Sequence, residues 1–445
     1  MAFFSFPSIS IFSYDFLDFI PASTISATYC LILCHKEPDF RWSRIGNAIQ
    51  VSIGVFMVFR GVYTPIKNPL IVCISNHLPR SSVFQEKVVL LLNKEQKKMV
   101  VEEKYMARCI ELARGGEGNT APNPMVGAVI VHKGKIIGEG FHRKCGEAHA
   151  EVNAVASVWD EALLRDSTIY VSLEPCSHYG KTPPCAELII RKGIPRVVVG
   201  TLDPFPEVSG RGVRMLREAG IEVVTGVLEE EARALNPAFM TFQIRKRPYV
   251  YLKWAQSADG FMDVRREDAT ESPVLLSSAE TLRRVHRLRS EVAAIMVGTR
   301  TALLDNPSLT VRHWAGQSPV RVVLDRTLKL PAGSHLLDGM VRTLVFTAAE
   351  VESRPNVEYV QIDFGQEVLS QVLQYLYGQN LNSLMVEGGA ELLESFLDAG
   401  LWDEAWVETA PVVLGAGVKA PAVPGVLTGT EQRHGHLLET WKQKA

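Results

Sequence analysis

GEAHAEVNAV (Gly146–Val155) and LEPCSHYGKTPPCAEL (Leu173–Leu188) are the two stretches that decide how the chain is read. The first sets His149 and Glu151 two apart where apolar residues begin to recur with a helical period. The second places Cys176 just after an apolar strand pattern and Cys185 at the head of another helical one. Singly these signals are weak. A His-x-Glu triplet arises by chance on the order of once in a chain of this size, and a cysteine near a helix start is more often a small core residue than a ligand. Together they say more, because each sits where a strand or loop hands over to a helix. The partial positive charge of a helix N-terminus lowers thiol pKa, which favours thiolates ready for a metal. One His and two Cys make three protein ligands, and on Zn2+ that leaves the fourth tetrahedral position to water, as in a catalytic site. Glu151 is then the candidate proton carrier, taking a proton from the activated water and passing it to a leaving amine. That is the chemistry of hydrolytic deamination at an amidine-like ring carbon, with the glutamate outside the metal shell. The competing, non-enzymatic reading is a zinc that only staples a binding module; it needs a fourth protein ligand, for which Cys145 and His178 are available.

The 445 residues exceed one typical domain and point to two or three. A net charge of −2 gives no overall reason to expect a nucleic-acid partner. A nucleic-acid or nucleoside deaminase with an accessory domain is the alternative enzyme class. It predicts basic and aromatic tracks, and no such run lies near these motifs. Seven scattered cysteines do not read as a disulfide framework, and a reducing cytoplasm suits thiolate ligands. Residues 1–98 differ from the rest. They are rich in Phe, Ser and Ile, and Asp15 and Asp18 precede the first basic residue, Lys36, which argues against a secretory signal. The best membrane candidate, Ala48–Phe59, is too short to span a bilayer and stops at Arg60, so no membrane association is expected. Residues 1–98 are expected to be an atypical extension outside the functional enzyme.

From Met99 onward strand and helix patterns alternate, the mark of α/β architecture. VVEEKYMARCIELARGG reads as a first helix; MVGAVIV and KIIGEGF read as a hairpin around HKGK. STIYVSLE, RVVVGTL and IEVVTGVL read as strands, separated by helices in PPCAELIIRKG, closed by Gly193, and GVRMLREAG. A single helix is expected from EEEARALNPAFMTF into a basic stretch ending at Pro248, which bounds one domain at 99–246 and a second at 247–445. The second repeats the pattern: strand YVYLKWAQS, helix SSAETLRRVHRLRSE, strands VAAIMVG, VRVVLD, TLVFT and SLMVEGG, then helix AELLESFLDAG. Nothing in it fits G-x-G-x-x-G. Its Gly388-Gly389 turn either lets backbone N–H groups approach a phosphate at a helix start or is simply a tight strand-to-helix turn.

PNPMVGAVIV, HAE and EPCSHYGKTPPC together resemble the deaminase half of the bifunctional riboflavin biosynthesis proteins, in which a diaminohydroxyphosphoribosylaminopyrimidine deaminase is fused to a 5-amino-6-(5-phosphoribosylamino)uracil reductase. The resemblance runs from about Met99 nearly to the C-terminus, with the halves in the same order. It implies a cytidine-deaminase-like three-layer domain followed by a dihydrofolate-reductase-like α/β domain. It implies His149, Cys176 and Cys185 as zinc ligands, Glu151 as proton shuttle, and Asn123, His142 and Lys181 as substrate contacts. An amide can read a pyrimidinone edge and two basic groups suit a ribose phosphate. Read alone, Asn123 equally shapes a turn between two prolines, and Lys181 is equally a solvated side chain.

YLKWAQSADG, MVGTRTALLDNPSLTVR and MVEGGAELLESFL resemble the reductase half, which uses NADPH. By that match Ala255, Thr301, Asp305, Gly388 and Gly389 line the cofactor, and Lys253, Arg289, Leu309, Arg312 and Glu387 face the substrate. Asp259 lies in the same segment as Lys253. The implied reaction delivers hydride to C1 of an open-chain ribosylamine. Two departures stand out. The loop ATESPVLLSSAE lacks the Trp common in the family, and Arg326 stands where a small hydroxyl is usual, either reaching the cofactor's 2′-phosphate or merely exposed. The family also implies a homo-oligomer, a dimer or tetramer, acting on a small-molecule substrate.

Overall fold

A computed structural model describes residues 103–179, 183–204 and 209–444; before residue 103 it describes only strands β1 (Ile9–Ile11), β2 (Tyr29–Ile32) and β3 (Ile71–Ile74), paired in the order β1-β3-β2. Met1–Val100 and Val101–Ala445 are separate units. The apolar run 48–59 and the expectation for residues 1–98 as a whole fall largely outside the described residues. Among the described residues no helix is long and apolar enough to cross a membrane.

In the second unit, helix α1 (residues 103–113) turns Tyr105, Met106, Cys109, Ile110 and Ala113 inward at helical spacing. The predicted hairpin is β4 (Gly127–His132) and β5 (Lys135–Phe141). Helix α2 (Ala150–Ala156), strand β6 (Ser167–Leu173), helix α3 (Cys185–Lys192), strand β7 (Arg196–Thr201), helix α4 (Arg211–Glu218) and strand β8 (Glu222–Thr225) follow. Gly193, at φ +68°, closes α3 in the left-handed conformation that glycine adopts most readily. The five strands form one sheet in the order β5-β4-β6-β7-β8. Because alternate residues face opposite sides, Ala128, Ile130, Ile169, Val171, Val197 and Val199 pack on α2, α3 and α4. Val129, Val131, Tyr170 and Val198 meet α1 on the other side, together with Ala232 and Leu235, which gives three layers. Each fully buried Val, Leu or Ile contributes about 1.5–3 kcal/mol.

The single helix expected after β8 is two, α5 (Glu229–Ala234) and α6 (Pro237–Arg245). Pro237 disfavours helical geometry at Asn236, which has φ −128° and ψ 54°, and starts a new helix at its own position. After α6, Arg247 forms a buried bidentate pair with Asp403 at 2.5 and 2.9 Å, and Asp403 also accepts from Val250 N at 2.8 Å. The junction is thus tied into the second sheet.

That sheet begins with β9 (Tyr249–Gln256) and β10 (Phe261–Asp263), then α7 (Ala279–Glu291), β11 (Ala294–Val297), α8 (Thr299–Asp305), β12 (Val320–Leu324), β13 (Thr343–Thr347) and β14 (Val357–Gln361). Helix α9 (Val368–Gly378), β15 (Ser383–Val386), α10 (Ala390–Asp398), β16 (Glu404–Thr409), β17 (Val418–Lys419), β18 (Gly425–Arg433) and β19 (His436–Gln443) complete it. Nine strands run in the order β14-β13-β12-β11-β15-β9-β16-β19-β18; all pairs are parallel except those of β19 with β16 and β18. β10 and β17 form a separate ribbon. Helices α9 and α10 cover one face and α7 and α8 the other. The two sheets meet where Asn382 Nδ2 donates to Pro122 O at 3.3 Å and Arg287 pairs with Glu117 at 2.7 Å.

Candidate active sites

α2 lies flat on β5 because β5 carries no side chain at Gly140; a Cβ there would fall 2.3 Å from Ala154 N and 2.6 Å from Ala150 O. This places His149, the N-cap of α2, and Glu151, in its first turn, at the carboxyl end of β6. Cys176 follows β6, and Cys185 opens α3. The three ligand atoms lie within 4.8 Å of one another, with His149 Nδ1 at 3.6 Å from Cys176 Sγ and 3.4 Å from Cys185 Sγ. A tetrahedral zinc with bonds of about 2.3 Å to sulfur and 2.0–2.1 Å to nitrogen spans a sulfur–nitrogen edge of about 3.6 Å. The donor set therefore fits zinc. Among the described residues neither Cys145 nor His178 joins the cluster.

Hydrogen bonds focus negative charge on Cys176. The Cys185 thiol, His149 and the Cys185 N–H (3.3 Å) converge on its sulfur and hold its pKa well below the ordinary thiol value, despite burial. The same coupling and burial push Cys185 up. Glu151 is 3% exposed; burial first, and the Cys176 charge second, push its carboxyl up to about 7. A buried carboxyl with a pKa near neutrality can both take and give a proton.

His142 is 3% exposed, with Nδ1 3.1 Å from Ala148 O and Nε2 3.3 Å from Asn123 Nδ2. Burial lowers its pKa. Nδ1 as donor and Nε2 as acceptor from Asn123 is the neutral tautomer that satisfies both contacts. The sequence offers His142 and Lys181 as basic groups for a ribose phosphate; the structure sets His142 against Asn123. Lys181 lies outside the described residues. Two supports went unread in the sequence. Asn236 accepts from Met125 N at 2.7 Å and donates to Met125 O at 2.8 Å, fixing the turn that holds Asn123. Glu174, 6% exposed, accepts from the N–H groups of Asp203, Gly210 and Val213 at 3.2, 2.9 and 3.1 Å, fixing the loop that holds Cys176. The only sequence signal for either is a polar residue beside a strand end or a proline.

In the second sheet, Arg289 of α7 and Glu387 after β15 form a bidentate pair at 2.8 and 2.6 Å, and Arg289 Nη1 donates to Thr310 O at 3.2 Å. Lys253 of β9 is half-buried, its Nζ 3.4 Å from Ser277 Oγ. Burial lowers the Lys253 pKa, opposed by the charges of Glu387 and Glu408. Leu309 is buried at φ +51°. The exposed Arg312 bonds the hydroxyls of Ser308 and Thr310. Gly389 N donates to Thr301 Oγ1 at 3.0 Å, so Thr301 and the Gly388-Gly389 turn are one unit. A Cβ at Gly388 would fall 2.7 Å from Leu392 Cδ2, so the turn packs closely on α10. Asp305 is engaged by Arg266 at 2.5 Å, and Arg266, 6% exposed, comes from the chain leading into the divergent loop. Ala255 lies near the end of β9 in register with Glu408. Asp259 is committed to Ser257 Oγ and to the N–H groups of Leu414 and Gly415, which hold its pKa down at about 2. Arg326 stacks on Phe364 at 5.7 Å.

Comparison with known proteins gives both halves a class. Residues 99–201 match the family described as the cytidine and deoxycytidylate deaminase zinc-binding region, and residues 248–440 match the RibD C-terminal domain. The chain is thus a zinc-type deaminase joined to a reductase. Riboflavin biosynthesis protein RibD of Aquifex aeolicus is 43% identical over 327 residues, covering 72% of this chain and 89% of that protein; RibD of Escherichia coli is 37% identical, covering 72% and 90%. A Thermotoga maritima structure described as a diaminohydroxyphosphoribosylaminopyrimidine deaminase/5-amino-6-(5-phosphoribosylamino)uracil reductase superposes with a TM-score of 0.70 at 38% identity, covering 78% of this chain and all of that one. The chain belongs to the RibD family of riboflavin biosynthesis proteins.

Proposed function

We propose that the chain carries out two consecutive steps of riboflavin biosynthesis with the residues described above. The first is hydrolytic deamination of 2,5-diamino-6-(5-phosphoribosylamino)pyrimidin-4(3H)-one to 5-amino-6-(5-phosphoribosylamino)uracil. The second is NADPH-dependent reduction of its ribosyl group to give 5-amino-6-(5-phosphoribitylamino)uracil. In the first site His149, Cys176 and Cys185 hold the metal, and zinc bound there supplies Lewis-acid activation of water. Glu151 takes a proton from the attacking water and delivers it to the departing amine, which leaves as ammonia. Asn123, in contact with His142, reads the pyrimidinone edge, and His142 and Lys181 meet the ribose phosphate. The convergence of three ligand atoms at tetrahedral-zinc spacing beside a buried Glu151 carries this reading.

In the second site NADPH supplies the hydride when bound. Thr301 braces the Gly388-Gly389 turn, and Ala255 and Asp305 complete the cofactor wall; Arg289 and Arg312 hold the phosphorylated sugar against Lys253, Leu309 and Glu387. The deaminase spans 99–246 and the reductase 247–445, and residues 1–98 are dispensable for both. The free thiols of Cys109, Cys145, Cys176 and Cys185 support a cytoplasmic setting. The exposed outer strand β18, with Val426 and Leu427 on its surface, supports a dimer or tetramer.

The test supplies purified protein with the diamino substrate, with and without NADPH, while following ammonia release, NADPH absorbance and bound zinc. Ammonia without NADPH, and NADPH consumption only after ammonia, is the expected result. Full zinc retention by Cys176→Ala, or NADPH consumption without prior deamination, would overturn the assignment.

A further inference from the structure

On the face of the sheet that carries Lys253, strands β9, β16 and β19 bring a second carboxylate and an imidazole close to the reductase site. Trp406 is in register with Lys253 and Glu408 with Ala255, so Lys253 and Glu408 are diagonal neighbours on one face of adjacent parallel strands. Tyr251 and Trp406 pack on the same core cluster, which confirms that these alternate positions share a side. Glu408 is 2% exposed. Its Oε1 accepts from Ser278 N at 3.0 Å, which fixes the start of α7, the helix that carries Arg289. His436 Nδ1, at the head of β19, stands 2.9 Å from the same oxygen, at ion-pair distance but out of line for a hydrogen bond. The other oxygen, Oε2, is buried and has no hydrogen-bond partner.

A buried carboxylate oxygen without a donor is costly, and a neighbouring donor is drawn to it. His436 Nδ1 and Trp441 Nε1 also lack hydrogen-bond partners, and on the same face of the neighbouring strand Lys253 has donors to spare. An ammonium offers three N–H groups, and among the described residues this one has a single long bond, 3.4 Å to Ser277 Oγ, beside the residue that Glu408 anchors. The charges of Glu387 and Glu408 favour its ammonium form and that of Arg289 opposes it, while among the described residues no carboxylate comes within 4 Å of Nζ. Glu387 is already matched by both nitrogens of its Arg289 partner. Glu408 is therefore the carboxylate with capacity to spare.

We infer that Glu408, backed by His436, is a positioning residue of the reductase, holding the Lys253 ammonium toward the substrate sugar while tying the start of α7 to the sheet. This rests on the proposal that Lys253 faces the substrate. Glu408 does not touch the substrate; it acts through Lys253.

The experiment uses the full chain and three variants, Glu408→Gln, Glu408→Asp and Lys253→Met, with reductase kcat and KM measured on the deaminated intermediate and deaminase activity measured on the same samples. Glu408→Gln keeps an acceptor for Ser278 and removes the charge. Its kcat is expected to fall about 10- to 100-fold, the scale of one hydrogen bond to a charged group, with KM changed less than about two-fold and deamination unchanged. Glu408→Asp should recover part of the loss. Lys253→Met separates the two ideas. If it retains reductase activity, the role of Lys253 is wrong; if it abolishes activity while Glu408→Gln keeps wild-type kcat, the role of Glu408 alone is wrong. A rise in KM with unchanged kcat in Glu408→Gln, or a loss that Asp does not restore, would also overturn the inference.

Discussion

Gly140→Ala tests whether packing under α2 sets the metal geometry. The new Cβ would fall 2.3 Å from Ala154 N and 2.6 Å from Ala150 O. Both are backbone atoms of α2 and cannot rotate aside. Tight contacts begin near 3.4 Å, so the helix must lift by about 1 Å, with a strain of about 1–3 kcal/mol. His149 caps that helix and Glu151 lies in its first turn, so both ride with it. Zinc sites tolerate ligand displacements of only about 0.2 Å. Misplacement of a reacting group by about 1 Å costs on the order of 100-fold in rate. The expected outcome is purified protein with substoichiometric zinc by elemental analysis and ammonia release slowed about 100-fold or more, with NADPH-dependent reduction of supplied intermediate retained. Stoichiometric zinc with a wild-type deamination rate would refute the claim that β5 positions the site through its missing side chain.

Glu151→Gln should keep zinc, since no ligand atom changes, while ammonia release falls about 100- to 10,000-fold. Chelation followed by dialysis should abolish deamination and leave the reduction of supplied intermediate intact. A chain starting at Met99 should retain both activities, measured by the same two assays. For Glu387, burial raises the carboxyl pKa but the Arg289 guanidinium outweighs it, so the net shift is downward. A lowered folded-state pKa means a stabilising contribution present above the ordinary glutamate value of 4.5 and lost as pH falls through the lower folded value. Thermal melting from pH 6 to pH 3 should accordingly fall more steeply for wild type than for Glu387→Gln.

What was legible in the sequence was local. Gly193 closes α3 as read, because a helix-stop signal acts within a few residues; the Ser278 cap of α7, its hydroxyl accepting from Thr281 N, is seen in the structure. His149, Cys176 and Cys185 were readable because each sits at a strand-to-helix transition, and such transitions meet at one end of a parallel sheet. Partners distant in sequence were not readable. Asn236 clamps Met125 and Glu174 collects three N–H groups from the loop after β7 and the start of α4, and no periodicity announces either bond. Strands β16, β18 and β19 escaped notice because EAWVET, GVLTGTEQR and HLLETWKQ mix charged and apolar residues without a clean alternation. The α5–α6 break falls at an Asn-Pro dipeptide, a turn signal set within apolar residues at helical spacing. The sequence of Gly388 and Gly389 left open a phosphate approach or a tight strand-to-helix turn, and the structure adds that the turn packs on Leu392 and bonds Thr301.

The turn bearing Asn123 is gripped by Asn236, at the break between α5 and α6, and by Asn382, from the reductase sheet, on Pro122. Neither grip comes from the five strands that build the metal centre. Separating the two halves near Arg247 would leave the zinc ligands and the Asn236 grip in place and, of the two grips, remove only the Asn382 bond to Pro122. The reductase half thus lends a brace to the deaminase half through a single side chain, Asn382, on the backbone beside Asn123.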